Sequence, residues 1–262
     1  KYWVLQANVD GFRCDYANGV PFDFWQQAIT ALNALPGRDI ILLAEGDRMD
    51  HFAAGFDMTF SWDYYTALKE VFAGQPAFTI NAISSNEYLQ VPAGKHKLRF
   101  TTNHDQSAWE AAPPALFGGI EGAEAATVAM TFMQGVPLIY TGQETGRTTT
   151  TPFFSNSPID WNANASMLNA YRSIYSIYAD SDAARRGTIT LYSANDAIII
   201  ERILNGEHLL VVVNVRNTSV SVPMPSALVN TAWTEAITGA TEFIGNTMGL
   251  MPYGYKILRY TE

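Results

Sequence analysis

The run Ile40-Ile41-Leu42-Leu43-Ala44-Glu45 constrains the fold more than any other stretch of this chain. It is apolar almost throughout and stops on a carboxylate. A strand without polar alternation belongs in a parallel sheet covered on both faces. Parallel neighbours also need a crossover, usually a helix. The residues just upstream supply one: Phe24, Ala28, Ala31, Leu32 and Leu35 recur at helical spacing, with Asp23 as N-cap and Gly37 as the stop. Before them, Gly11-Phe12-Arg13-Cys14-Asp15 has strand character. Residues 11–45 therefore read as a β-α-β unit.

The pattern recurs downstream. A short strand over 55–60 and a helix over 64–72 lead through a less regular segment to a strand over 97–103, which ends in Asn103-His104-Asp105. An Ala-, Thr- and Met-rich helix over 122–133, stopped by Gly135, precedes an apolar strand over 136–140 that opens onto Gly142-Gln143-Glu144. A long loop over 145–165 and a helix over 167–179 follow. At the other end, Lys1-Tyr2-Trp3-Val4 reads as the last turn of an amphipathic helix, so the chain is expected to start inside a domain. Beyond Arg186 the texture changes. Short β-rich runs over 188–192, 197–203, 209–215, 220–222 and 255–260 are separated by Asn, Gly, Asp or Ser, the mark of an antiparallel sandwich. Asn205-Gly206 between two of them is a hairpin signal. The spacing predicts two parts, 1–184 and 185–262.

Composition excludes several classes of function. The formal charge of −9, with acids spread along the chain, argues against nucleic acid, which needs clustered Lys and Arg. No apolar run is long enough for a transmembrane helix. The single cysteine, Cys14, rules out an internal disulfide and a Cys-based zinc site. Aromatic residues make up 13% of the chain, which suits stacking on sugar faces as well as core packing.

Three strand ends finish on acids: Asp15, Glu45 and Asp105. In a parallel (β/α) barrel such ends converge on one face, and catalytic groups come from several of them. Side chains alternate along a strand, so Arg13 and Asp15 share a face while Cys14 takes the other. Taken alone, that pair reads equally as a salt bridge closing a strand or as part of a site. Two close carboxyl groups with a third acid suit glycoside hydrolysis, where one group attacks the sugar and another protonates the leaving oxygen. No serine sits in a nucleophile-elbow context, and Cys14 would face away from Asp15.

With these residues in place the chain resembles the α-amylase superfamily of glycoside hydrolases. Gly11-Phe12-Arg13-Cys14-Asp15 is similar to that family's fourth-strand motif, Leu43-Ala44-Glu45-Gly46 to its fifth and Thr102-Asn103-His104-Asp105 to its seventh. The run from Gly135 to Glu144 is similar to the eighth strand and the loop after it. The resemblance implies strands 4 to 8 of a (β/α)8 barrel followed by an all-β antiparallel sandwich. By position it implies Asp15 as nucleophile, Glu45 as general acid and then base, and Asp105 as ligand of the distorted sugar's hydroxyls. Arg13 would orient Asp15, and His104 would donate to substrate near the scissile bond. The implied activity is retaining hydrolysis of α-glucosidic bonds in starch-like glucans or maltooligosaccharides. Transglycosylation or α-1,6-directed cleavage would use the same residues. A non-catalytic binding subunit is the alternative of another class, and retention of all three acids speaks against it. Export to an extracellular or periplasmic space is expected of a polysaccharide hydrolase.

The departures carry expectations as well. The family's third-strand motif and first three strands have no counterpart here, nor does the excursion that supplies most calcium ligands in many relatives. Calcium would then enter through residues outside this chain, with a backbone carbonyl at Gly19 as one possible contributor. No other cofactor is implied. Many amylases carry Lys-His where this chain has Asn18-Gly19. A barrel lacking three strands should leave the Asp15 strand as an unpaired edge able to pair with another chain. The isolated chain is accordingly expected to be an inactive or nearly inactive fragment of a longer hydrolase. Trp62, Trp109 and Trp161 lie near strand-following loops and could stack on glucose, whereas Trp233 is expected in the sandwich core.

Overall fold

The structure, a computed structural model, describes residues 1–262. α1 (Tyr2–Ala7) ends at Asn8, whose left-handed backbone turns the chain into β1 (Gly11–Cys14). There follow α2 (Phe22–Asn33), β2 (Ile41–Ala44), α3 (Asp50–Ala54), β3 (Met58–Phe60), α4 (Trp62–Phe72), α5 (Thr79–Leu89) and β4 (His96–Arg99). The first part closes with α6 (Gln106–Trp109), α7 (Pro113–Leu116), α8 (Ile120–Phe132), β5 (Val136–Pro137), α9 (Ala165–Asp180) and α10 (Asp182–Arg186). The five strands form one sheet in sequence order, every neighbouring pair parallel. This is the arc of a (β/α) barrel, with β1 and β5 as its free edges.

The sheet has two distinct faces, and pairing keeps them in register. Leu42 and Ala44 are buried with Ile29, Ile40 and Phe56, and Phe12 and Cys14 pack on them beneath the helices. Leu98 and Phe100 are buried with Phe60 on the other face, where Leu43, Val136 and Leu138 join them. Strand alternation thus sends Arg13 and Glu45 toward the concave side and Cys14 away. Gly11 fits its place because a Cβ there would fall 2.0 Å from the Ile41 carbonyl oxygen.

Several boundaries differ from those the spacing predicts. Pro21, not Asp23, stands before the first turn of α2, since its ring fixes a φ of −59°; Asp23 sits inside that turn, where its charge favours the helix dipole. Gly55 ends the short helix α3, so the third strand begins only at Met58. The segment 73–96 contains a full helix, α5. Its inward side carries polar Ser84 and Glu87, which hides the apolar period. The fourth ladder stops at Arg99, and residues 100–103 continue buried but irregular. β5 is only two residues long, for Pro137 has no N–H to extend the ladder.

The polar side of α5 answers to Arg99, whose side chain is wholly buried. Its Nε donates to the Gln134 carbonyl at 2.9 Å, Nη1 to Ser61 Oγ at 2.5 Å and to Glu87, and Nη2 to Ser84 Oγ at 3.1 Å. The Tyr64 ring lies 4.3 Å from the guanidinium carbon. One cation therefore joins β4 to α4, α5 and the turn that enters β5.

The second part is the expected sandwich. A six-stranded antiparallel sheet contains β6 (Thr188–Tyr192), β7 (Ala197–Leu204), β8 (Glu207–Asn214), β10 (Thr231–Glu235), β11 (Thr241–Ile244) and β13 (Tyr255–Thr261), in the order β11-β10-β13-β8-β7-β6. It packs on a pair formed by β9 (Val220–Pro223) and β12 (Thr247–Leu250) around Leu210, Val212, Val222, Met248 and Trp233. Asn205 and Gly206 take φ of 51° and 79°, the double positive that a two-residue hairpin turn needs. The opposite face of the large sheet, with Ile198, Ile200, Val211 and Ile257, shares its core with Val128, Ala129 and Phe132 of α8. The sandwich thus covers the helical layer behind the parallel sheet. No helix in the chain is long and apolar enough to cross a membrane.

Removing the Arg99 side chain should be costly, because Glu87 would keep its buried charge without the guanidinium. Arg99→Ala is expected to lower unfolding stability by about 3–5 kcal/mol. Urea unfolding followed by circular dichroism checks this, and a loss below about 1 kcal/mol would show that the network does not hold the layers together.

Candidate active site

β1 and β2 run side by side with Arg13 opposite Leu43 and Cys14 opposite Ala44. The pairing continues past both strands: Glu45 N donates to Cys14 O at 2.9 Å and Ala17 N to Glu45 O at 3.0 Å. Glu45 is thereby held beside the end of β1, on the side that carries Arg13. Arg13 Nη1 donates to Asp15 Oδ1 at 2.7 Å, and Nη2 reaches both Glu45 Oε1 and His104 Nε2, the latter at 3.0 Å. His104 Nε2 also lies 3.2 Å from Glu45 Oε1 and 3.6 Å from Asp105 Oδ1. The structure brings the five predicted site residues together: Asp15, Glu45 and His104 meet the Arg13 guanidinium, and Asp105 joins them through His104.

The carboxylates stand in unequal surroundings. The Asp15 side chain is 79% exposed and bonded through one oxygen, whereas Glu45 is 13% exposed and engaged through both. Its second oxygen accepts from the Tyr16 N–H at 3.0 Å. The imidazole has a choice to make: Nε2 either accepts from Arg13 or, protonated, donates to Glu45, and it cannot do both. Cys14 points the other way into the apolar layer, where burial pushes its thiol pKa up and removes it as a nucleophile.

Two supporting groups were not legible as such in the sequence. Asn103, 1% exposed, accepts from the Asp105 and Gln106 N–H groups at 3.0 and 2.9 Å and so fixes the turn that presents His104 and Asp105. Asn18 ties the loop after β1 to the loop after β2. Its Nδ2 donates to Asp47 at 2.7 Å, and its Oδ1 accepts from His51 Nε2 at 2.9 Å and the Asp47 N–H at 3.2 Å. A Cβ on Gly46 would fall 2.3 Å from that oxygen, which accounts for glycine after Glu45. Gln143 of the eighth motif is structural, bonded to Thr101 Oγ1 at 2.8 Å and to the Tyr171 hydroxyl at 2.9 Å.

Metal and aromatic candidates can be placed too. One ligand atom each from Glu45, His104 and Asp105 lies within 4.8 Å of the others. Arg13 already occupies Glu45 Oε1 and His104 Nε2, so a resident cation would have to displace a guanidinium. Near Gly19, the flanking carbonyls of Asn18 and Val20 accept from Arg48 at 2.9 and 3.4 Å, which again sets a positive charge where calcium would need oxygen. Trp109 is 70% exposed with Phe153 and Phe154 beside it, and Trp161 is 53% exposed. Trp62 packs on Phe60 and Phe100, and Trp233 is buried in the sandwich core.

No family model matches the chain. In sequence it is 34% identical over 141 residues to α-amylase MalA of Haloarcula japonica, covering 53% of this chain and 20% of that protein. It is 22% identical over 224 residues to a cyclomaltodextrinase of Thermoanaerobacter pseudethanolicus, covering 82% and 38% respectively. The chain therefore spans well under half the length of these two curated relatives. In structure it superposes on a maltogenic α-amylase from Thermotoga neapolitana with a TM-score of 0.82 and 23% identity, covering 100% of this chain and 63% of that one. Its relatives in sequence and its neighbours in fold are α-amylase-family enzymes, as the four motifs imply.

The Asn18–His51 bond gives a test of how the loops are held. His51 is buried, and burial lowers its pKa below the ordinary 6.5. A depressed histidine pKa disfavours the charged form in the fold, so its contribution is present above about pH 6.5 and is lost as pH falls below it. His51→Gln should flatten the decline of stability between about pH 7 and pH 5 while keeping a donor toward Asn18. Chemical unfolding at several pH values measures this; identical slopes in both proteins would exclude the role.

Proposed function

We propose that this chain, as a relative of α-amylase-family enzymes, contributes the catalytic face of a retaining hydrolase of α-glucosidic bonds in starch-like glucans or maltooligosaccharides. The observation that carries the proposal is the convergence of Asp15, Glu45 and His104 from three strand ends on Arg13, with Asp105 beside His104. Asp15 is the nucleophile, since one of its oxygens is bonded to Arg13 while the side chain stays open to an incoming sugar. The bond from anomeric carbon to leaving oxygen breaks as the bond to Asp15 forms. Glu45 delivers the proton to that oxygen and later takes one from water, which frees the sugar with its configuration retained. Both Glu45 oxygens accept hydrogen bonds in this arrangement, so proton delivery requires that Arg13 or the Tyr16 N–H release one of them as substrate enters. Asp105 and His104, about a third to a half exposed, are placed to bind sugar hydroxyls.

The free edge of β1 supports a second element of this reading. Its outer side has no partner strand, and β5 lacks one likewise. We assign these edges to the strands that would complete an eight-stranded barrel, supplied by further residues of the same protein or by another chain. Residues 1–184 then act as the barrel portion and 185–262 as the sandwich that shields it. Calcium is given no step, because a guanidinium already serves the carbonyls on either side of Gly19.

The roles separate by substitution in a polypeptide that carries this chain with the completing strands. Asp15→Asn should abolish starch hydrolysis while glucan binding persists, and Glu45→Gln should lower kcat by about 10²–10⁴-fold. Reducing-end assays and the anomeric form of the first product, read by proton NMR, check both. Turnover unchanged by Asp15→Asn, or an inverted first product, would overturn the assignment.

A further inference from the structure

Tyr16 follows Asp15 directly, and it stands in a conformation that a tyrosine rarely takes. Its φ of 45° and ψ of 43° lie in the left-handed region, which glycine and asparagine enter far more readily. Its hydrogen bonds to the protein run through the backbone. The N–H donates to Glu45 Oε2 at 3.0 Å, and the carbonyl accepts from the Gly19 N–H at 3.0 Å. A glycine would supply both groups without strain, so neither bond explains a bulky residue here. Core packing does not explain it either, since Tyr16 is 70% exposed. A strained side chain beside reacting groups, serving neither fold nor backbone, points to what lies above it.

The ring has a fixed seat. A Cβ on Gly19 would fall 2.0 Å from Tyr16 Cε1, so the ring lies where a side chain at position 19 would begin. The backbone beneath it is pinned from several directions. The Ala17 N–H donates to Glu45 O at 3.0 Å, the Ala17 carbonyl accepts from Trp25 Nε1 at 3.1 Å, and the Asn18 carbonyl accepts from Arg48 at 2.9 Å. A flat apolar surface is thus held beside Glu45 and left open to solvent, suited to the C–H face of a pyranose. Its side of the site follows from Glu45. Oε1 faces Arg13 and His104, whereas Oε2 faces the Tyr16 N–H, so Tyr16 flanks the acid away from His104 and Asp105. Those two residues are placed to bind the sugar that Asp15 attacks. The ring then borders the sugar on the other side of the scissile bond.

We propose that Tyr16 is a specificity-determining residue whose ring holds the glucosyl unit on the leaving side of the scissile bond. The inference rests on the hydrolase reading above and deepens it, because the same ring would hold a sugar that competes with water for the glycosyl-enzyme. In that step the bond from Asp15 to the anomeric carbon breaks, a sugar hydroxyl oxygen bonds to that carbon, and the hydroxyl proton passes to Glu45. Water follows the same route, so Glu45 serves both acceptors and the ring serves only the sugar. The test gives the polypeptide with the completing strands α-maltosyl fluoride as donor and maltose as acceptor, and measures the ratio of transfer product to maltose released by water. Tyr16→Ala should lower that ratio roughly tenfold or more. Tyr16→Phe, which keeps the ring, should keep the ratio. Gly19→Ala places a Cβ where the ring sits, should lower the ratio as Tyr16→Ala does, and serves if that variant does not fold. A purely structural role through Glu45 would slow both products together and leave the ratio unmoved. An unmoved ratio in Tyr16→Ala and Gly19→Ala, or fluoride hydrolysis without any transfer in the unaltered protein, would overturn the role of Tyr16 alone. Fluoride left unconsumed by the unaltered protein would overturn the hydrolase reading and this role with it.

Discussion

The buried guanidinium of Arg99 is the interaction on which the parallel half of the structure rests. It takes hydrogen-bond partners from β4's neighbours in three directions: Ser61 after β3, Ser84 and Glu87 on α5, and the Gln134 carbonyl before β5. A charge so deep is favourable only when every donor is matched, and removing any partner leaves a desolvated group behind. The geometry of β3, β4 and β5 relative to the helical layer is therefore set by a polar requirement, not by apolar packing alone. His104 and Asp105 follow Arg99 by five and six residues, so the position of the candidate site inherits this constraint. Thr101 continues it through Gln143 and Tyr171 to α9.

Arg13 plays a related part at the surface, with a different balance of forces. It is about one-third exposed, so solvent screens its attraction for Asp15 and Glu45, and the pairs there add little to stability. What they supply is position. A planar fork that reaches Asp15 with one nitrogen and Glu45 and His104 with the other fixes three groups from three strands. Such a clamp can be exchanged for substrate contacts at modest cost, whereas the Arg99 network cannot be opened without disturbing the layers. The chain thus separates a rigid polar anchor within its core from a releasable one at the strand ends.

How much of this was legible in the sequence follows from the same physics. The continuous run at Ile41–Ala44 and the acids at Asp15, Glu45 and Asp105 were readable because buried parallel strands and their polar ends are local patterns. The Asn205-Gly206 turn was readable for the same reason. α5 was not, because its inward residues are Ser84 and Glu87, polar groups chosen for a cation that lies in a later strand. β10, β11 and β12 were missed as well; they are short and half-exposed, and their pairing is long-range. Asn18 and Asn103 look like ordinary loop residues until the backbone groups they bind come into view.

Lys97 belongs with Arg99 in that argument and sharpens it. Both project from β4 to the helix side, two residues apart, and both are more than nine-tenths buried. Arg99 has a partner for each nitrogen, and Lys97 has none for its ammonium. Glu87 favours the Lys97 charge together with Asp47 and Asp63, although its two oxygens are bonded to Ser61 and Arg99. Two basic side chains of one strand thus meet different ends: Arg99 is spent on fixed partners inside the layer, whereas Lys97 opens at its edge, where Glu87, Asp47 and Asp63 favour its charge against the cost of burial.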